Sequence, residues 1–468
     1  MRKITIFFIL EILLLSGIGV SAFSITKTNT LSISVDEYDM VIIAPNKFSA
    51  SIQPLIAHKN NHGVKTFLKT TEDIYSEYTG RDDAEEIKFF IKDAIESNNI
   101  KYVLLIGGRQ GQGFKWYVPY RFSNVDDGVT HKQFLSDLYF ADIYKENGDF
   151  EDWDSNGNGI FAEWYSNDIF ASDVMDLKPE VAIGRLPCRY ENEVVSIVEK
   201  IIEYENNAYG KTWFNRALLV GGDTNPGAGD PFPFEGEADC NYIEQYFDGF
   251  DVTKLFTSDG TLESYNDFIS SFNTGNGFVV YYGHGLQDGL FLYTSTGEKM
   301  TVFDNKYVSQ LKNTGMYPIM IAGCCHTTEF DVGILNFLTI VQNLYQHHNF
   351  FTCTYECVSE VISWNMVKKQ DGGSIAHIGS SSTAWGAVGD DNRDGIPDTV
   401  QNGFTTGLCA EFFRIIEEEG IDILGRVYTD TLTYNIDNYN TNIDRIQCKC
   451  VQEFQLIGDP SLKIGGYQ

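Results

Sequence analysis

Gly277-Phe278-Val279-Val280-Tyr281-Tyr282-Gly283-His284-Gly285 and Tyr317-Pro318-Ile319-Met320-Ile321-Ala322-Gly323-Cys324-Cys325-His326 are two stretches of one kind. Each is a short apolar run, closed by glycine and followed at once by residues able to do chemistry. Runs that are apolar throughout, rather than alternating, mark strands buried on both faces, as in a parallel sheet under helices. Ligand sites in such sheets lie beyond the carboxyl ends of the strands. If the two strands are neighbours, an imidazole and a thiol meet at one rim.

The same pattern extends outward. Apolar strands are expected at Tyr38–Pro45, Tyr102–Ile106, Val181–Ile183, Arg216–Val220 and Ser374–Ile378. Helical spacing covers Ser51–His62, Glu85–Ser97, Glu191–Tyr204, Glu237–Phe247 and Val358–Lys369. The fold class is α/β, read as two consecutive α/β/α units with mostly parallel sheets. At about 150 residues per domain, the length of 468 fits two or three domains. We divide the chain into a leader over 1–22, an N-terminal α/β subdomain over 23–208 and a catalytic subdomain over 209–468.

An imidazole beside a thiol can take its proton and later protonate a leaving amine. Glycines around His284 allow a sharp turn and close approach to substrate, and nearby backbone N–H groups can bind an oxyanion. A metal centre built from His284, Cys324, Cys325 and His326 lacks the usual zinc ligand spacing.

Composition narrows the classes further. There are 65 Asp plus Glu against 34 Lys plus Arg, a net charge of −31. That surface repels nucleic acid and anionic lipid heads. A hydrophobic fraction of 43% excludes a disordered scaffold. Arg2 and Lys3, the stretch Ile4–Val20, apolar except for Glu11, Ser16 and its glycines, and the small residues Val20 and Ala22 before Phe23 read as a secretory signal. No second apolar run reaches spanning length, so an exported protein without stable membrane insertion is expected. The nine cysteines fit an oxidising compartment, and Cys448 and Cys450 are placed on one side of a strand.

At these residues the chain resembles the gingipain family of cysteine peptidases, which have a caspase-like fold. The family carries Gly-His-Gly after one strand, and after the next a Cys with Phe five residues on; Cys325 to Phe330 matches that spacing. Glu180-Val181-Ala182-Ile183-Gly184-Arg185, Gly379–Trp385 and Gly458-Asp459-Pro460-Ser461-Leu462 resemble further family segments, in order, over roughly Tyr38 to Ile464. Thr328 stands where the family commonly has Gly. The resemblance implies Cys325 as nucleophile, with Cys324 the alternative, and His284 as its base. It also implies an orienting acid at Asp223, whose other reading is an Asx-turn. It further implies a P1 pocket for Arg or Lys formed by Asp239 and Trp385, although Glu237 and Asp239 also read as first-turn helix acids.

Two loops alternate oxygen side chains before a glycine, as Ca²⁺ requires. One holds Asp390, Asn392, Asp394 and Asp398. The other holds Asp152, Asp154, Asn156 and Glu163, and a register shifted to Asp154, Asn156 and Asn158 fits it almost as well. The resulting expectation is a secreted, calcium-stabilised cysteine endopeptidase acting on protein or peptide substrates, without an organic cofactor. The alternative is a non-catalytic secreted calcium-binding surface or adhesion protein on the same fold.

Overall fold

The computed structural model describes residues 37–128, 133–164, 172–227, 232–336, 357–390, 392–439, 441 and 444–468. The leader expected over 1–22 and Cys353 lie outside the described residues. The strands are β1 (Met40–Ala44), β2 (Thr66–Thr70), β3 (Tyr102–Ile106), β4 (Arg121–Val125), β5 (Phe134–Ser136), β6 (Glu163–Trp164), β7 (Ala182–Leu186) and β8 (Arg216–Gly221). They continue with β9 (Asp251–Phe256), β10 (Phe278–Tyr282), β11 (His284–Leu286), β12 (Gly289–Tyr293), β13 (Lys299–Asp304), β14 (Ile319–Gly323), β15 (Ala376–Ser380) and β16 (Phe454–Ile457).

Ten of them form one sheet in the order β2-β1-β3-β7-β16-β15-β14-β10-β8-β9. Every neighbouring pair is parallel except β15 with β16. The α/β class with a mostly parallel sheet is therefore observed. The strands before residue 208 occupy one end of this sheet and those after it the other. The closing strand β16 lies between the two blocks, so one continuous sheet joins them. The single antiparallel pair reverses direction there, and the carboxyl ends of β8, β10, β14 and β15 leave at a common edge.

Both faces of the sheet are covered, as the uninterrupted apolar runs require. Ala217, Leu219, Val280, Tyr282, Ile319 and Ile321 pack into one core, and Leu218, Val220, Val279, Tyr281, Met320 and Ala322 into a second. This alternation is the two-residue period of a strand read in burial. One expectation is corrected: Cys448 and Cys450 stand on the helix Arg445–Glu453, not on a strand. Both are buried, and their 3.6-residue period sends them in different directions.

Candidate active site

The register of β10 on β14 pairs Phe278 with Ile319 and Tyr282 with Gly323. The same offset relates His284 to Cys325, each two residues beyond the last pair. Cys324 continues the parity of Met320 and Ala322 and enters the second core, 2% exposed. Cys325 has the opposite parity and is half-buried at the rim, so the two adjacent thiols have different surroundings. Gly285 packs directly on this turn, where an added Cβ would collide with the Cys325 carbonyl oxygen.

His284 opens a three-stranded antiparallel sheet, β11-β12-β13, which holds its ring. The imidazole stacks on Phe291, with centroids 4.8 Å apart. Its Nε2 lies 2.6 Å from the backbone carbonyl oxygen of Thr224. A carbonyl only accepts, so Nε2 carries the hydrogen and Nδ1 is left as the basic nitrogen. Asp223 does not hold the imidazole. Its carboxylate accepts the Asn225 N–H at 2.9 Å, closing an Asx-turn, and its carbonyl accepts the Tyr293 N–H at 3.0 Å.

Past β15, the N–H of Ala384 donates to Cys325 Sγ at 3.3 Å. Burial nevertheless pushes the thiol up to about 11, with the Ala384 hydrogen bond opposing. The resting group is therefore a thiol, which would need a base to become nucleophilic, rather than a preformed low-pKa thiolate. The turn after it is tight. His326 has φ +57° and its Nδ1 lies 2.7 Å from Glu329 Oε2. Thr328 is buried and donates its hydroxyl to the Gly379 carbonyl at 3.0 Å, so this departure from glycine ties the turn to β15.

Thr224, His284, Cys325, Ala384 and Trp385 line a cleft of about 340 Å3, with Glu235 and Asp239 in its wall. Asp239 is 4% exposed and accepts a hydrogen bond from the Thr399 hydroxyl. Burial pushes its carboxyl up to about 7; the Thr399 bond lowers it and the neighbouring Glu235 charge raises it. Trp385 donates Nε1–H to Asp127 Oδ2 at 3.4 Å, which fixes the far wall.

Peptidase family C25 matches residues 34–465. The chain belongs to that family. Gingipain R2 of Porphyromonas gingivalis is 24% identical over 297 residues, covering 62% of this chain and 32% of that protein. Lys-gingipain of the same organism is 26% identical over 215 residues, covering 45% of this chain and 10% of that protein. These matches span a third or less of the relatives' own length. The crystal structure of the Arg-specific cysteine proteinase gingipain R superimposes with TM-score 0.60 at 19% identity, covering 92% of this chain and 79% of that one. The resemblance and fold inferred from the motifs are thus observed for this member of family C25.

Several contributors had no signature in the sequence. Thr224 and Ala384 act through main-chain atoms, which no residue type announces. Glu235 was legible only as the residue one helical turn before Asp239. Behind the wall, the buried Lys449 donates to the Thr383 carbonyl at 2.6 Å and pairs with Glu453. Their i,i+4 spacing on one helix was the available signal. Arg185, in the Ile-Gly-Arg motif, is buried on Asp137 at 2.6 Å, and its guanidinium lies 5.1 Å from the Phe330 ring centroid. That contact accounts for the Phe five residues after Cys325.

In the loop near the cleft, Asp390 accepts from Asp394 N at 3.1 Å and from Gly395 N at 3.0 Å, and Asp394 accepts from Ile396 N at 2.8 Å. The other loop repeats this from Asp154, which accepts from Asn158 N at 2.9 Å and Gly159 N at 3.1 Å; Asn158 accepts from Ile160 N at 2.8 Å. The hydrogen bonds thus select the register starting at Asp154. Asp152 stands outside it, and Arg81 reaches both acids, 3.4 Å from Asp152 and 2.7 Å from Asp154. Asn156 and Asn158 both donate to Glu163 Oε2, at 3.3 and 2.5 Å. No group of three or more His, Cys, Asp or Glu side chains is gathered at metal-holding distance among the described residues. The fit therefore depends on the Asn side chains and backbone carbonyls, which are ordinary calcium donors.

Proposed function

We propose that this chain is a cysteine endopeptidase in which Cys325 is the nucleophile and His284 its base. The observation that carries the reading is the delivery of Thr224, His284, Cys325 and Ala384 to one cleft from the neighbouring strands β8, β10, β14 and β15. His284 Nδ1 takes the thiol proton as Sγ attacks the scissile carbonyl. Backbone N–H groups at the Cys325 and Gly283–Gly285 turns receive the oxyanion. The imidazolium, held through Nε2–H by Thr224, then protonates the leaving amine. Water hydrolyses the thioester with the same imidazole as base.

Asp239 at the cleft wall supports a preference for Arg or Lys at P1, because a buried carboxylate gains most from a charged partner. The names of the gingipain R and Lys-gingipain relatives agree with basic specificity. Calcium is proposed for both loops, held by Asp390, Asn392, Asp394 and Asp398, and by Asp154, Asn156, Asn158 and Glu163; bound there it supplies structural order and no chemistry. Export through the 1–22 segment is likewise proposed. No described helix is long and apolar enough to cross a membrane.

The test is mass spectrometry after a brief pulse of an arginine-directed peptide ketone, on wild type and His284→Ala. Rapid single labelling at Cys325, lost without His284, is expected. Labelling at Cys324, or none, would overturn the assignment.

A further inference from the structure

Two acids of one helix share the wall of the cleft. Glu235 opens the helix Glu235–Ile243 and Asp239 stands four residues on, so both carboxylates lie on the same helix face. The helix start is seated tightly over the strand ends: a Cβ at Gly236 would come within 2.6 Å of the Tyr282 carbonyl oxygen. That close approach brings the first turn to the cleft.

Glu235 is 8% exposed. Its Oε2 accepts the Thr224 N–H at 3.1 Å. Its Oε1 is buried without a hydrogen-bond partner among the described residues. Asp239 is bound on one oxygen by Thr399. Among the described residues neither Lys nor Arg lines the cleft, so this wall presents two carboxyl groups and no cation from them.

We propose that Glu235 is a second specificity-determining acid of the P1 subsite and tunes it toward arginine over lysine. A guanidinium offers five N–H donors in a planar fork and can serve Asp239 and Glu235 Oε1 together. An ammonium is a compact point charge that satisfies one carboxylate well and the second poorly. A neutral residue leaves both acids without a counter-charge. This inference rests on the basic-P1 reading and adds a residue to it.

The test uses the full chain with calcium and three peptides identical except at P1, which is Arg, Lys or citrulline, the neutral isostere of Arg. Glu235→Gln is expected to lower the Arg-to-Lys ratio of kcat/KM by about tenfold or more, the scale of one charge-assisted contact, and to lower the Arg-to-citrulline ratio with it. Equal losses on all three peptides would overturn the proposal, since Glu235 would then act only through Thr224 and His284. Wild type that prefers basic residues, with Glu235→Gln indistinguishable from it, removes this inference and leaves the basic-P1 reading intact. Wild type that cleaves citrulline as well as Arg removes both. If Glu235→Gln does not fold, Glu235→Asp keeps the charge and shortens its reach. A lowered Arg-to-Lys ratio in that variant supports the proposal, and an unchanged ratio overturns it.

Discussion

His284 and Cys325 stand at equal distances beyond a paired position of two neighbouring strands, each two residues past the Tyr282–Gly323 pair. The parallel register thus brings the imidazole and the thiol to one cleft, and the strand's two-residue period turns Cys325 to the rim and Cys324 into the core. Cys325→Ala is expected to abolish turnover with an unchanged melting temperature. Cys324→Ala should retain activity and lose about 1 kcal/mol of stability, as small core truncations do. Peptide hydrolysis and thermal unfolding of both variants check this.

The imidazole's second partner is a main-chain carbonyl, which side-chain substitution does not remove. Asp223→Asn should therefore lower kcat by less than about tenfold, about 1.4 kcal/mol of barrier. His284→Ala should lower it by about 10²–10⁴-fold, the usual contribution of a general base. A large loss in Asp223→Asn would make its carboxylate the orienting group after all.

Asp239 carries a pH prediction. Burial raises its carboxyl to about 7, so the group is neutral below that pH and anionic above it. A cationic P1 side chain prefers the anion. Hence kcat/KM for Arg peptides should rise through about pH 7 more steeply than for citrulline peptides, and Asp239→Asn should flatten the difference. The stability sign is the reverse. The folded state holds the proton more tightly than the unfolded state, so this group's contribution declines as pH rises from the ordinary carboxylate range to about 7. Unfolding of wild type and Asp239→Asn across that window checks it.

Lys449 and Glu453 form a fully buried pair behind the Thr383–Trp385 wall. Lys449→Met leaves Glu453 buried without its cation and also releases the Thr383 carbonyl. A loss of about 3–5 kcal/mol is expected, partly restored in Lys449→Met/Glu453→Gln, where the Thr383 carbonyl and Asp127 still lack the ammonium. Denaturant unfolding of the three proteins decides this.

The loop Asp390–Asp398 runs directly into Thr399, which bonds Asp239. Calcium there should raise the melting temperature, by the equivalent of about 2.7 kcal/mol when free calcium is about 100 times Kd. Asp390→Ala should lose that increment and raise KM for Arg peptides more than it lowers kcat. A melting temperature indifferent to chelator would count against calcium in both loops.

Apolar runs and helical periods in the chain were sufficient to determine the α/β class, the individual strands around His284 and Cys325, and the alternating oxygens of the two loops. These are local properties: burial on both faces, the period of an element and the donors of a turn are written within a few residues. Only the tertiary structure decided that β16 closes the sheet between β7 and β15, that Thr224 rather than Asp223 holds His284, that Asp154 starts its loop's register, and that Glu235 joins Asp239 in the cleft. Each depends on which distant segments pack together and on main-chain atoms whose chemistry is the same in every residue.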